Sequence, residues 1–425
     1  MEIKEEYFHL LRRAEQNTSN GLLEMVREQP ARLQDERTPL AELMEFILRA
    51  ALQAGASDIH FEPLEQEVRI RLRINGQMKQ FFQNMPWNLY GNLLSRLKII
   101  CGLDIAERRL PQDGRFSFAL QAGRNLDVRV SIVPMINGEK IVLRLLNNQD
   151  SFKSLEQLDF SSRNYELLRR KCTSGSGAVL LSGPVNSGKT TALYGILSLL
   201  NREGNNIISV EDPVEYRIEG VNQIQVNEKI GYTFEMALRA VLRQDFDCLA
   251  VGELRSMETA EMLVTSALTG RRVFATIHTP GAVKTVFRLL DMGIKPYLLV
   301  SAISLIVGQR LVKRLCPHCR VAYRPDGSEP ESSFLGGKEG DMSGVFYRHR
   351  KEGCAMCGYT GYVGRIAVQE VLSVDGSVAE AVMCGVKADD LEDVAIKNGM
   401  TSMRQDGIEK ALAGELELSE LMRLF

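Results

Sequence analysis

The stretch AVLLSGPVNSGKTTALYGILSLL sets Gly183-x-x-x-x-Gly188-Lys189-Thr190 directly after one apolar run and directly before another. Glycines at these two positions let the backbone turn so that successive N–H groups converge. A helix opening at Lys189 adds its own N-terminal donors, and the product is a cradle for anionic oxygens. Pro184, Val185, Asn186 and Ser187 complete the loop and Thr191 continues it into the helix. Lys189 would reach the β and γ phosphates of a nucleotide, and Thr190 would offer its hydroxyl to Mg²⁺. The motif alone specifies nucleotide binding and leaves open which machine uses it.

Three further groups narrow the chemistry. Glu211, Asp212 and Glu215 follow the apolar run Asn206 to Val210, and Gly252-Glu253 follows Cys248 to Val251. Transfer of a phosphoryl group to water needs a metal and a carboxylate that orients the water. Glu253 stands where a Walker B acid would and is the first catalytic candidate, with Glu215 beside it. His278 ends the run Arg272 to Ile277, a position suited to a γ-phosphate contact. Arg239, Arg243, Arg255 and Arg288 surround these runs, and guanidinium groups suit the charge that develops on a transferred phosphoryl group.

A second chemistry is written in cysteine. Cys316-Pro-His-Cys319 and Cys354-Ala-Met-Cys357 stand 34 residues apart, and two such knuckles can supply four thiolates to one tetrahedral Zn²⁺. The spacer is rich in Gly, Ser and Glu, as an excursion folded by its metal would be. The other four cysteines, Cys101, Cys172, Cys248 and Cys384, are isolated and read as structural.

The elements that must position these groups follow from periodicity. Strand runs at Ala178 to Leu181, Asn206 to Val210, Cys248 to Val251 and Arg272 to Ile277 alternate with helical stretches, which implies an α/β domain with a mostly parallel sheet and ligands at the strands' carboxyl ends. Upstream, a helix opens at Thr38-Pro39, closes at Gly55 and carries an apolar stripe through Leu40, Leu43, Met44, Ile47, Leu48 and Ala51. From Val68 to Ile74 the period is two, ended by Asn75-Gly76. Similar strands at Arg115 to Leu120, Asn125 to Val133 and Lys140 to Leu145 surround a helix from Leu89 to Cys101. The expected organisation is an N-terminal arm (1–36), an α+β domain (37–147), a polar linker (148–160) and the ATPase domain (161–425), with the zinc-binding excursion at 316–365.

Composition excludes several classes. Fifty-two basic residues against 54 acidic ones argue against a chain-wide nucleic-acid surface, and Arg169, Arg170 and Lys171 read as a solvated helix face. The opening MEIKEEYFHLLRRAEQ lacks the apolar core of a secretory signal, and no apolar run approaches the roughly twenty residues needed to span a bilayer. The expected compartment is the cytoplasm.

In combination GASDIHFEP, ERRLPQDGR, DVRVS, GEKIVLRLL, GPVNSGKTT, SVEDPVEY, LRQDFDCLAVGELR, TGRRVFATIHT and GMTSMRQDGIEKAL resemble the type II secretion and type IV pilus assembly ATPases of the GspE/PilB extension-motor type, from about Leu40 to Leu424. The resemblance implies a RecA-like P-loop NTPase core, a PAS-like N-terminal α+β domain and a tetracysteine zinc insertion. It implies a homohexamer at the inner face of the cell membrane that hydrolyses ATP to move an inner-membrane platform protein and add subunits to a pilus or pseudopilus. By position Glu211 to Tyr216 match the family's acidic box, Glu253 its Walker B glutamate and His278 its "His box" histidine. Arg129 and Arg144 match arginines that the N-terminal domain swings over the nucleotide. Three local departures are His278-Thr-Pro-Gly for the usual His-Thr-Asn-Asp, Phe246 for a proline and Asn75 for an aspartate. Competing readings are a competence-pseudopilus motor, a nucleic-acid translocase on the same core, which predicts stimulation by DNA and strong salt dependence, and a scaffold that binds nucleotide without hydrolysing it.

Overall fold

The computed structural model describes residues 40–74, 77–119, 125–146, 153–173, 175–325, 330–336 and 344–425. The N-terminal arm, Thr38, Pro39, the Asn75-Gly76 turn and Leu120 lie outside these residues. The chain divides into two compact units, one ending at Ser151 and one spanning Phe152–Phe425.

The first unit is built from α1 (Leu40–Gln53), β1 (Ala56–Pro63), β2 (Val68–Ile74), β3 (Gln77–Met85), α2 (Trp87–Ile100), β4 (Gln112–Ala119), β5 (Asn125–Met135) and β6 (Gly138–Leu146). The strands form one sheet in the order β3-β2-β1-β6-β5-β4 with every neighbouring pair antiparallel. Alternation decides which face is covered. Ile70 and Leu72, Ile59 and Phe61, Val128 and Val130, and Ile141 and Leu143 point to the helices and join Leu43, Ile47, Leu48, Leu93 and Leu97 in one core. The intervening Arg69, Arg71 and Arg73 stay on the other face. The pattern alone left β1 and β3 unassigned: outward Asp58, His60 and Glu62 make β1 read as a polar connection. Glu62 draws Arg69, Arg71 and Lys140 onto its two oxygens at 2.7 to 3.2 Å. Burial pushes its carboxyl up, but these cations, Arg71 foremost, hold it down at about 2.

In the second unit β7 (Gly177–Ser182), β8 (Ile207–Glu211), β9 (Asn222–Gln225), β10 (Cys248–Val251), β11 (Arg272–Ile277), β12 (Ile303–Leu315) and β15 (Tyr362–Ser373) make a seven-stranded sheet in the order β15-β12-β7-β11-β10-β8-β9. All its neighbours are parallel except the edge pair β12–β15. The helices are α3 (Ser162–Thr173), α4 (Lys189–Leu200), α5 (Phe234–Val241), α6 (Met257–Leu268), α7 (Ala282–Asp291), α8 (Pro296–Ala302), α9 (Pro330–Leu335), α10 (Gly376–Cys384), α11 (Ala388–Lys397), α12 (Met403–Leu412) and α13 (Leu418–Met422). Period-two burial sends Ala178, Leu180, Leu249 and Val251 into one core with α5 to α8 and α10 to α11. It sends Val179, Leu181, Cys248 and Ala250 into a second core with α3 and α4. A strand buried on both faces reads as a continuous apolar run, which is why β7 and β10 were visible in the sequence.

One feature differs from expectation. The polar stretch taken as a linker to residue 160 is in part built in, because Leu155 and Leu158 are buried in the core that α4 shares. The long β12–β15 pair carries the cysteine excursion at its far end, beside the small ladder of β13 (Val321–Tyr323) with β14 (Phe346–Arg348). Among the described residues no helix is long and apolar enough to cross a membrane.

Candidate nucleotide site and metal centre

Parallel registration brings the carboxyl ends of β7, β8, β10 and β11 to one edge of the sheet. The residues that follow them are those the sequence singled out. After β7 the loop 183–188 turns into α4. Lys189 is 7% exposed, and its Nζ donates to Gly183 O at 2.7 Å and to Pro184 O at 2.8 Å. Burial draws its ammonium down to about 8, with Glu253 pulling the other way. Val185 is 73% exposed and Asn186 sits in the left-handed region at φ 64°, a conformation asparagine tolerates. The N–H groups of Asn186, Gly188, Lys189 and Thr190 find no backbone acceptor among the described residues, and Ser187 Oγ is buried without a partner. Unclaimed donors around a cation at a helix N-terminus fit a polyphosphate chain. Thr190 is exposed on the same turn, available to Mg²⁺, and Thr191 is half-buried behind it.

His278 follows β11, with Nδ1 at 3.4 Å from Lys189 Nζ and Nε2 at 3.2 Å from Glu253 Oε1. Arg255 donates from Nε to the other Glu253 oxygen at 2.8 Å and reaches Asp212 at 3.6 Å. Lys189, His278, Glu253, Arg255 and Asp212 therefore form one continuous chain of polar contacts at the mouth of the loop. Glu253, with 22% of its side chain exposed, can meet a water without leaving its partners.

The other candidates sort by what they touch. Glu211 ends β8 at this edge, but its carboxylate turns inward. It is 3% exposed, takes the Tyr194 hydroxyl on one oxygen and Ser209 Oγ and Gln223 Nε2 on the other, and so is a buried brace between β8 and α4. Glu215 is half-buried, with its backbone N–H on the Tyr194 oxygen at 3.1 Å. Arg239 does not join the cluster within the chain, being paired with Glu258 between α5 and α6. Arg288 lies in the last turn of α7, six residues or about 9 Å along the axis from its start, and Arg243 is an exposed residue just past α5. In the first unit Arg129 and Arg144 face each other across β5 and β6, and Arg144 is held by Asp58 at 3.0 Å.

Sequence reasoning missed Gln309 and Gln369. A Cβ at Gly183 would lie 2.4 Å from both the Gln309 carbonyl oxygen and Ser187 Oγ, and Gly188, in the left-handed region at φ 87°, would place a Cβ 2.6 Å from Gln309 Nε2, so Gln309 lies close against both motif glycines. The available signal was a polar residue at an inward position of an apolar alternation in LIVGQRLV.

At the far end of β12, the Sγ atoms of Cys316, Cys319, Cys354 and Cys357 all lie within 4.8 Å of one another. Three of the separations are 3.8, 3.9 and 3.8 Å. A tetrahedron with Zn–S bonds of about 2.3 Å has edges of about 3.8 Å, so the donor set fits Zn²⁺. Burial pushes the Cys357 thiol up, but the N–H groups of Cys354 and Gly361, at 3.1 and 3.2 Å from its sulfur, help bring it down to about 6.

Comparison with known proteins agrees with this geometry. Residues 33–423 match the family model described as "Type II/IV secretion system protein". The Type IV pilus assembly ATPase PilB of Myxococcus xanthus is 42% identical over 90% of this chain and 67% of its own length. The Type II secretion system protein E of Pseudomonas aeruginosa is 40% identical over 92% and 76%. The PilB of Thermus thermophilus is 39% identical over 93% of this chain, which spans only 44% of that protein. Among solved structures, the pilus retraction motor PilT with bound ADP covers 89% of this chain and 96% of its own at a TM-score of 0.62 and 23% identity. The ATPase DotB of Legionella pneumophila covers 92% and 98% at 0.67 and 18%. These last two speak to the fold. With a matched phosphate loop, a carboxylate and histidine at its mouth and relatives of this identity, the chain belongs to the Type II/IV secretion system protein family as one of its ATPases.

Proposed function

We propose that this protein hydrolyses ATP to power assembly of an extracellular fibre, a type IV pilus or a type II secretion pseudopilus. It would act as a homohexamer on an inner-membrane platform protein at the cytoplasmic face of the membrane. The carrying observation is the set Lys189–His278–Glu253–Arg255 at the mouth of the phosphate loop, joined to relatives whose names describe pilus assembly and secretion. Mg²⁺, held through Thr190, would neutralise charge on the phosphates.

The loop N–H groups and Lys189 bind the β and γ phosphates. Lys189, now held by two loop carbonyls, turns its charge to the nucleotide when phosphate oxygens replace them. Glu253 orients a water and receives its proton as the water oxygen bonds to the γ phosphorus and the bond to ADP breaks. His278, set between Lys189 and Glu253, registers whether the γ phosphate is present. Arg255 holds the Glu253 carboxylate in place, and Arg129, Arg144, Arg239, Arg243 and Arg288 are assigned to the same nucleotide or to one bound by a neighbouring subunit. The four cysteines hold structural Zn²⁺.

The test has two parts. Phosphate release by purified protein should be lost in Lys189→Ala, and release at the unmutated rate would sink the site assignment. Deleting the gene while scoring surface pili, secreted proteins and DNA uptake together assigns the fibre, since each role loses a different output. A protein whose hydrolysis rises with added DNA and whose loss leaves all three outputs intact would be a translocase instead.

A further inference from the structure

We infer that Gln309 and Gln369 are positioning residues for the phosphate-binding loop, forming a buried amide relay that sets the loop's grip on nucleotide. The inference rests on the reading of that loop as the ATP cradle. β12 runs parallel to β7 with Gly308 level with Ser182, so Gln309 arrives at the height where the phosphate loop leaves the sheet. Its backbone oxygen lies against Gly183 and its side-chain nitrogen against Gly188. From there Nε2 donates to Ser187 O at 2.8 Å, in the middle of the loop. Among the described residues the loop's other hydrogen bonds are Gly183 N–H to Ile277 O at 3.3 Å, Ser187 N–H to Pro184 O at 3.4 Å, Ala192 N–H to Gly188 O at 3.0 Å, and those of the Lys189 ammonium, which a nucleotide would draw away. Gln309 thus supplies a short tether to the loop that nucleotide need not displace.

Gln309 is itself held. Gln369, its register partner on β15, donates from Nε2 to Gln309 Oε1 at 3.2 Å and to Leu158 O at 3.0 Å. The backbone N–H of Gln369 in turn donates to Asp406 at 2.8 Å, and Asp406 is gripped by Lys410 at 2.7 Å. Gln309 is 4% exposed, and Gln369 and Asp406 are 0% and 2% exposed. Buried amides are costly unless they are satisfied; both Nε2 groups and Gln309 Oε1 have partners, while Gln369 Oε1 is buried without one. Leu158 belongs to the segment that leads from the first unit of the chain into the second, and it packs with Leu155 against α4. A shift of that segment would therefore be felt at Ser187 through three hydrogen bonds, by way of Gln369 and Gln309.

The neighbouring rung acts on the opposite face. Glu370, paired with Gly308, accepts from Ala282 N–H at 2.6 Å and Met403 N–H at 3.3 Å, the first residues of α7 and α12. The helix that follows the His278 loop is thereby fixed from the same strand pair.

The experiment compares full-length wild type, Gln309→Met, Gln369→Met and the double variant. The readouts are equilibrium binding of a fluorescent ADP analogue, KM and kcat for ATP hydrolysis, and the melting temperature. Gln309→Met keeps volume and removes the tether, and is expected to raise Kd for ADP and KM for ATP by about three- to tenfold. Gln369→Met is expected to do so by less. The double variant should match Gln309→Met, because Gln369 acts on the loop through Gln309. If Gln309→Met does not fold, Gln369→Met carries the test alone. Folded variants with lower melting temperatures but wild-type Kd and KM would mean that the amides only fill the core, and additive effects in the double variant would break the relay. Wild type that binds no nucleotide, indistinguishable from Lys189→Ala, would overturn the ATP reading itself and not this relay specifically.

Discussion

Nucleotide affinity should weaken with rising pH because of Lys189. In the free protein burial places this ammonium at about 8, so near pH 7 about nine chains in ten carry the charge and near pH 9 about one in ten. Bound phosphates require the charged form, and a phosphate-paired lysine keeps its proton well above pH 9. Binding must then recruit a proton wherever the free site has lost it. The dissociation constant for MgADP should rise about tenfold from pH 7 to pH 9, about 1.4 kcal/mol, with proton uptake climbing from near zero toward one per site. Calorimetry in buffers of different ionisation enthalpy measures both quantities. Lys189→Arg stays charged across this range and should show no such slope, which separates the lysine from titration of the nucleotide. Folding runs the other way. The lysine's folded value lies below the 10.5 of an unfolded lysine, so the unfolded chain binds more protons between about 8 and 10.5 and the nucleotide-free protein gains stability as pH rises through that window. A flat affinity from pH 7 to 9 with no proton uptake would refute the argument.

Glu253→Gln keeps the shape of the side chain and removes its basicity, so hydrolysis should fall by about 10² to 10⁴-fold while ADP affinity changes little; equal losses in both would make Glu253 a binding group. Metal analysis of purified protein should find one zinc per chain, lost in Cys316→Ala and in Cys357→Ala together with a lower melting temperature; metal-free wild type that melts unchanged after chelation would dismiss the site. In the first unit Lys98 and Glu139 are 1% and 5% exposed and paired at 2.7 Å. Glu139→Ala strands a buried ammonium and should cost about 3–5 kcal/mol, whereas Lys98→Met with Glu139→Leu should recover most of it. The chain has a single tryptophan, Trp87, which packs on Tyr90 in this unit, so denaturation followed by its fluorescence reports the unit directly; a cost under about 0.5 kcal/mol would mean that the pair stays hydrated.

What was legible in the sequence was what a short window contains. Cys248–Val251 and Arg272–Ile277 stood out as strands because both faces of each are apolar. The phosphate loop and the cysteine knuckles were legible because the groups that cooperate are neighbours in the chain. Residues whose roles depend on distant partners were not. Glu211 looks like a member of an acidic surface box until Tyr194, Ser209 and Gln223 close over it. Arg239 looks like a phosphate ligand until Glu258, on another helix, claims it within the chain. Gln309 and Gln369 are separated by the whole cysteine excursion, and only strand pairing makes them neighbours.

That pairing also explains why one edge of the sheet carries so many functions. β7, β8, β10 and β11 stop at the nucleotide edge, which leaves their loops free to supply Lys189, Asp212, Glu253 and His278. β12 does not stop there. It passes the loop at Gln309 and runs on to Leu315, immediately before Cys316. With β15 hydrogen-bonded along this length, the extension is a two-stranded ribbon rooted between the two cores, its inner rungs bracing the phosphate loop and α7 and its tip ending in four thiols. At roughly 3.3 Å per residue the tip lies about 23 Å from Gln309. A metal there is too remote to meet the phosphates, so its effect on nucleotide would have to travel along the ribbon. Loss of zinc should accordingly lower stability first and alter ADP affinity only where the disorder reaches the Gln309–Gln369 rung.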